Sequence, residues 1–136
     1  MIEEESRLTH IAFQVTDIQR TIDFYASYTR MRVVHERPDP QRGSRVVWLR
    51  EQEALGSMTI VLFKKDDPAS SAPPSSLNHL GFAVESRVAV DTIARRAAEE
   101  RILVLPPSDY GGVVGYICEI SDPDGTVIEF SHGQRL

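Results

Sequence analysis

The sequence predicts an α+β fold made of two tandem βαβββ modules. Three observations carry that prediction. First, Leu8-Thr9-His10-Ile11-Ala12-Phe13-Gln14-Val15 is echoed by Leu77-Asn78-His79-Leu80-Gly81-Phe82-Ala83-Val84, with Leu, His, Phe and Val at matching places. The spacing is about half of the 136-residue chain. Second, each echo opens a segment of alternating apolar character, the mark of a strand with one buried face. Third, a Pro-, Ser- and Ala-rich stretch, residues 66–76, separates the copies and has little that can pack a core. The expected boundaries are module one at 7–65, a linker at 66–76 and module two at 77–132.

In module one, Ile11, Phe13 and Val15 alternate with Ala12 and Gln14 as in a strand. Thr16-Asp17 offers an N-cap, and Ile18, Ile22 and Tyr25 form an apolar stripe at helical spacing. Residues 32–36, 45–50 and 58–64 read as three further strands, separated by Pro38, Pro40, Gly43 and Gly56. Module two repeats the order. Residues 79–84 form a strand, and Ser86 caps a helix whose stripe is Val90, Ile93, Ala94 and Ala97. Residues 102–105, 115–121 and 126–131 are strands, the last two joined by Asp122-Pro123-Asp124-Gly125. Proline presets φ and glycine admits positive φ, so this is a tight turn. A lone four-stranded unit of this size covers one sheet face with its helix and leaves the other for a second copy or a ligand.

Composition bounds the rest. Apolar content of 41% and charged content of 26% describe an ordinary globular chain. A formal charge of −5 argues against nucleic acid and anionic membrane as partners. The single cysteine, Cys118, cannot form an internal disulfide, which fits a reducing, cytoplasmic setting. The acidic start, Met1-Ile2-Glu3-Glu4-Glu5, has no apolar run behind it and does not read as a signal peptide, and no stretch is long and apolar enough to span a bilayer.

The residues with chemistry are His10, His79 and Glu129. Each histidine opens a strand at the equivalent place of its copy. Glu129 stands between Ile128 and Phe130 in an apolar strand, where an inward carboxylate is costly unless paired or bound to a cation. Two neutral imidazoles and one carboxylate would hold a divalent ion with open positions, a Lewis acid for a substrate oxygen or a bound water. Laying Thr59-Ile60-Val61-Leu62-Phe63 on Thr126-Val127-Ile128-Glu129-Phe130 puts Leu62 opposite Glu129, so the repeat offers no fourth ligand there, nor at the neighbouring Val61. Glu119 is a candidate general base, if the strand register turns it toward Glu129. Trp48, Phe63 and Tyr116 are candidates to line a substrate pocket, with simple core packing as the alternative. Arg50 is within reach of an anionic substrate group or lies at the surface. Ser108 to Val113 reads as a glycine-bearing loop, and Arg95-Arg96 with Glu99-Glu100 as a solvated helix face.

The stretches 8–15 with Asp17 and Phe24-Tyr25, 77–84, and Asp122-Pro123-Asp124-Gly125-Thr126-Val127-Ile128-Glu129 resemble the vicinal oxygen chelate superfamily. That superfamily includes glyoxalase I, extradiol dioxygenases, methylmalonyl-CoA epimerase, and fosfomycin- and bleomycin-resistance proteins. The resemblance implies an eight-stranded mixed sheet curled around one divalent metal, with helices on its outer face. It places His10, His79 and Glu129 on the metal-ligand positions, the ion being iron, manganese, nickel or zinc. It also implies a homodimer acting on a small molecule that chelates the metal through oxygen. The missing first-copy Glu or Gln departs from glyoxalase I and the epimerase. The His-His-Glu set is closer to the extradiol dioxygenases and the fosfomycin enzymes, yet no cluster of basic residues follows Glu129 for a phosphonate, and His35 and His132 have no evident reason to face the site. The reading is a glyoxalase-like lyase or isomerase, with an extradiol-type dioxygenase or a metal-free drug-binding resistance protein as alternatives.

Overall fold

The computed structural model describes residues 8–52, 58–67 and 77–135. Gly56, most of the expected linker and the acidic start of the chain lie outside them. The chain divides into two units, with the division between Ser71 and Ala72. Each unit is one βαβββ module, and the eight strands are shared between two four-stranded mixed sheets.

The first unit runs β1 (His10–Val15), α1 (Ile18–Tyr28), β2 (Met31–Asp39), a short 3-10 turn (Pro40–Arg42), β3 (Ser44–Glu51) and β4 (Thr59–Lys64). Its sheet, sheet A, has the order β1-β4-β3-β2. β1 lies parallel to β4, and β4-β3-β2 are antiparallel. The side chain of Asp17 accepts from the Arg20 amide at 3.0 Å and so caps α1. The buried stripe of α1 is Ile18, Thr21 and Tyr25; Thr21, rather than Ile22, takes the middle place, its hydroxyl satisfied by the Asp17 carbonyl at 3.0 Å. α1 packs against β2, β3 and β4. Phe13, Leu62, Val47 and Leu49 are buried at alternate positions on that side of the sheet. Burying each such side chain is worth about 1.5–3 kcal/mol.

The second unit runs β5 (His79–Ala83), α2 (Arg87–Glu99), β6 (Leu103–Asp109), β7 (Tyr116–Ser121) and β8 (Val127–His132). Sheet B has the order β5-β8-β7-β6, with β5 parallel to β8 and the rest antiparallel. Ser86 caps α2 by accepting from the Ala89 amide at 3.1 Å. Val90, Ala94 and Ala97 are buried against Cys118, Ile120, Ile128 and Phe130, and Phe82 stacks on Phe130 at 5.8 Å. None of the helices in the described residues is long and apolar enough to cross a membrane.

Two boundaries differ from expectation because edge strands tolerate what central ones do not. β6 runs on through Pro106 and Pro107 to Asp109, taking in residues expected to form a loop. It is an edge strand whose register shifts between Leu105 and Ser108, so the two missing amides break no continuous ladder. Pro38 in β2 sits at the corresponding edge of sheet A.

The β7–β8 connection is pinned by Asp122. Its buried side chain accepts from the amides of Asp124 and Thr126, each at 2.9 Å, and its carbonyl accepts from Gly125 at 3.0 Å. Gly125 has φ +87 and Gly115 has φ +81, both in the left-handed region. They differ in surroundings. A Cβ on Gly115 would fall 2.5 Å from the His132 carbonyl oxygen, whereas one on Gly125 meets nothing within 4 Å. Gly125→Ala is therefore expected to cost about 1 kcal/mol, from backbone strain alone. Gly115→Ala should cost about 2–4 kcal/mol, since overlap with backbone adds to the strain. Urea unfolding of the two variants side by side measures the difference; equal midpoints would contradict it.

Candidate functional site

The sheet faces not packed by α1 or α2 hold the candidate residues, and cross-strand pairing fixes which residues share them. In sheet B, Gly81 pairs with Glu129 and Glu129 with Glu119. Side chains directly opposite on neighbouring strands share a face. Glu119 and Glu129 are therefore neighbours, on the face that also carries His79 two residues along from Gly81. Glu119 is half-buried and Glu129 is only 7% exposed.

Glu129 is held in an arrangement short of acid-neutralising contacts. Its Oε2 accepts from Gln134 Nε2 at the long distance of 3.5 Å, and its Oε1 lies 3.9 Å from His79 Nε2. That second separation is too long for a hydrogen bond. It is close to the roughly 3–3.5 Å between two donors that share one cation at bonds of about 2.1 Å. Gly81, across from Glu129, leaves space above the carboxylate: an added Cβ would sit 3.7 Å from Oε2. Two carboxylates directly opposed and one of them buried is an unfavourable arrangement unless a cation or a shared proton offsets it.

His79 is oriented for such a cation. Its Nδ1 lies 2.7 Å from Asn78 Oδ1. With a carbonyl oxygen as acceptor, Nδ1 carries the proton, and Nε2 keeps its lone pair on the side of Glu129. His10 also has a polar neighbour at Nδ1 in sheet A, Thr9 Oγ1 at 2.9 Å, but a hydroxyl both donates and accepts and leaves the tautomer open. The pairing of a polar residue with each following histidine is a duplicated feature that pattern reading passed over, although Thr9-His10 and Asn78-His79 were in plain view. The residues present on sheet B thus fit a divalent cation as a His-Glu pair. Among the described residues, no group of three His, Cys, Asp or Glu side chains is gathered as a metal site.

The structure corrects the alignment of the two copies. His10 pairs with Thr59 and Ala12 with Val61, as His79 pairs with Val127 and Gly81 with Glu129. The counterpart of Glu129 is Val61, one residue from the Leu62 expected. Leu62 is fully buried on the α1 side, beside Phe13 and Val47.

The three aromatic candidates separate. Trp48 pairs with Val61, and so shares the helix-free face of sheet A with His10 and Ala12. Phe63 is on that face too, with the Arg42 guanidinium 5.6 Å from its ring centre. Tyr116 is on the other side of its sheet. It alternates with Cys118 and Ile120 toward α2, and its hydroxyl donates to Asp91 of that helix at 2.5 Å. Of the two readings for Tyr116, pocket lining and core packing, its place is the second: it is two positions from Cys118 and three from Glu119, and so shares the face of Cys118. Arg87 lies 4.6 Å over its ring and pairs with Asp109. Asp109 in turn accepts from the Gly111 amide at 2.8 Å, so the network ties α2 to the end of β6. His35, given no reason to face a site, does face Trp48 at 4.9 Å between ring centres. A register shift between Val33 and His35 turns it there. His132 approaches the Val84 carbonyl through Nδ1 at 3.2 Å.

Among the described residues four groups have displaced protonation equilibria: Asp39, with Asp66, raises the Arg42 guanidinium, the Gly111 amide and Arg87 lower the Asp109 carboxyl, and the other two, Cys118 and Tyr116, lie on the α2 side. Burial pushes the Cys118 thiol up to about 11, so it is a packing residue and not a nucleophile. The hydrogen bond to Asp91 raises the Tyr116 phenol above its ordinary value, with burial adding to it. A phenol whose folded-state value is raised adds no pH dependence below the unfolded value and loses stability for the protein as pH climbs past it. In an alkaline absorbance titration, Tyr116 should ionise above the ordinary range of a phenol. Asp91→Asn should bring that ionisation to lower pH, leaving the part due to burial; an unchanged titration would show that the contact does not control it.

Comparison with known proteins agrees with this architecture. The family model of the Glyoxalase/Bleomycin resistance protein/Dioxygenase superfamily matches residues 7–130. A Pseudomonas aeruginosa protein described as uncharacterized, PA2024, is 41% identical over 129 residues, spanning 95% of this chain and 90% of that one. Among solved structures, the trypanothione-dependent glyoxalase I of Leishmania major has a TM-score of 0.63 at 21% identity, covering 94% of this chain and 87% of its own. The fosfomycin resistance protein FosX of Listeria monocytogenes has a TM-score of 0.70 at 19% identity, covering 96% of each chain. The matched family model spans both histidine strands, the Asp122 turn and Glu129, and the chain belongs to the Glyoxalase/Bleomycin resistance protein/Dioxygenase superfamily.

Proposed function

We propose that the protein is a divalent-metal-dependent enzyme of glyoxalase-like lyase or isomerase type, acting on a small substrate whose oxygens reach the metal. The observation that supports this most is the buried Glu129 carboxylate facing the free Nε2 of His79 at 3.9 Å, with Glu119 directly across the strand pair. His79 and Glu129 would hold the cation. When bound, the ion supplies Lewis acidity toward a substrate oxygen.

The chain's own residues have distinct parts. Asn78 fixes the His79 tautomer through Nδ1. Glu129 supplies the negative charge that makes the pair a cation site. Gly81 leaves room over Glu129 where a bulkier residue would stand. Glu119, half-buried on the same face, is placed to take a proton from a substrate carbon or from water, and to return it. The absence of a carboxylate at Val61 leaves Glu119 as the base, since the equivalent position in the first copy is apolar. The same reading takes the protein as a cytoplasmic homodimer.

Equilibrium dialysis against manganese, nickel, zinc and ferrous iron tests the metal. One ion per chain is expected, with Glu129→Gln lowering affinity by a hundredfold or more and Asn78→Ala by about tenfold to a hundredfold. Glu119→Gln should leave metal binding intact and reduce turnover by about 10² to 10⁴ on whichever α-hydroxy- or α-oxo-carbonyl compound proves active. Wild-type protein that takes up no divalent ion, yet retains small-molecule binding in EDTA, would replace this reading with metal-free sequestration.

A further inference from the structure

The helix-free face of sheet A carries a basic and aromatic set that the metal reading does not use. Register fixes its layout. Trp48 is central, opposite His35 on β2 and Val61 on β4. Arg37 stands two residues beyond His35, its guanidinium 5.9 Å from the Trp48 ring centre. On the other side of Trp48, Arg50 is directly opposite Arg32. Continuing the β3–β4 register past Leu49 and Ile60 sets Arg50 beside Thr59, and Thr59 pairs with His10. Arg50 and His10 therefore lie in one row, two strand spacings or about 10 Å apart.

Three features of this set are costly in a structural role. The two arginines directly opposed are like charges across a strand pair, which is destabilising. Arg32 bends back to the carbonyls of Thr29 and Met31, at 2.9 and 2.8 Å, while Arg50 is exposed and has no hydrogen-bond or ion-pair partner among the described residues. The carboxylate nearest on this face of β2, Asp39, is buried and already held by Arg42 at 3.1 Å. Finally, His35 reaches Trp48 only because the strand is irregular between Val33 and His35. Without that shift, regular alternation from Arg32 would put His35 on the α1 side. A bulge that re-aims one side chain is a recurrent device beside binding sites.

We propose that this face binds a planar carboxylate, an aromatic or enolic acid, as the recognition element of the substrate. The ring rests on Trp48 and His35, and Arg50 receives the carboxylate in the forked geometry that guanidinium offers it. Trp48 and Arg50 are two residues apart on one strand, about 7 Å, a span that an aryl carboxylate covers. Arg37 adds positive potential from the far side of the ring. The inference rests on the metal reading only in taking the acid as that enzyme's substrate; binding of the acid itself needs no cation.

Trp48 is the sole tryptophan, so its fluorescence reports directly on this face. Metal-stripped protein in EDTA is titrated with benzoate and cinnamate, and with benzamide and cinnamamide as uncharged matches. The acids should quench saturably, and the amides should bind at least tenfold more weakly. Arg50→Gln should weaken the acids about tenfold and leave the amides unchanged. Calorimetry with Trp48→Leu, whose folding is checked by circular dichroism, should show weaker binding of benzoate but unchanged weak binding of acetate. Equal binding of acids and amides, or an Arg50→Gln protein indistinguishable from wild type, would overturn the proposal. So would acetate binding as tightly as benzoate, since the ring would then contribute nothing. Metal uptake is measured separately, so a protein that binds the acids but no cation sinks the enzyme reading alone, and the reverse result sinks this one alone.

Discussion

Strand alternation is the constraint on which everything else here depends. Each module has one helix, and one helix covers one sheet face. Every second residue of a strand must therefore pack beneath the helix, and the alternate residues are released from that contact. A slip of one residue would exchange the two sets entirely. The β7–β8 register is thus as consequential as any side chain near Glu129. It is set by the Asp122 side chain, which gathers the amides of Asp124 and Thr126 into a turn of fixed length. With that turn in place, Glu119 meets Glu129. With one residue more, Ile120 or Cys118 would stand there and a carboxylate would be pressed against α2.

Much of the fold was legible because alternation and capping are local. The histidine strands, both N-caps and the Asp122 turn could be read from short stretches, and each stretch contains its own physical cause. Facing could not be read where it depends on pairing with a distant strand. Glu119 could not be oriented until its partner was known. Leu62 was set opposite Glu129 because Thr and Phe coincide in the two copies, but the pairing of Ala12 with Val61 moves the equivalence by one residue. For Tyr116, aromatic character fits a pocket wall and a packed core alike, because it does not distinguish the two sides of a sheet. His35 was hidden more deeply, because an irregularity in β2 reverses the parity that alternation would give it.

The extent of β6 was obscured for another reason. Two consecutive prolines argue against a strand in the sheet interior, and here the strand is an edge. Edge position is a property of topology, and the sequence of the segment does not display it. The network of Arg87, Tyr116, Asp91 and Asp109 is similarly invisible in order along the chain, since it joins a helix to two strands across 22 to 29 residues.

Comparing the two sheets row by row shows where the copies differ. On the helix side the counterparts remain apolar: Phe13 and Phe82, Leu62 and Phe130, Leu49 and Ile120. On the free side the same rows hold Val61 against Glu129, Trp48 against Glu119 and Arg50 against Ser121. The asymmetry follows from packing. A residue beneath a helix is limited by volume, and a charge there would be stranded without water or a partner. A residue on the other face has no helix over it, and an unfavourable cross-strand pair there costs a fraction of a kcal/mol to about 1 kcal/mol where it is exposed, and more at a buried group such as Glu129. Sheet B holds two opposed carboxylates and sheet A two opposed arginines. Both exceptions fall on the face where packing does not demand them, and each becomes favourable once a group of opposite charge is added: a cation at Glu129 and a carboxylate at Arg50.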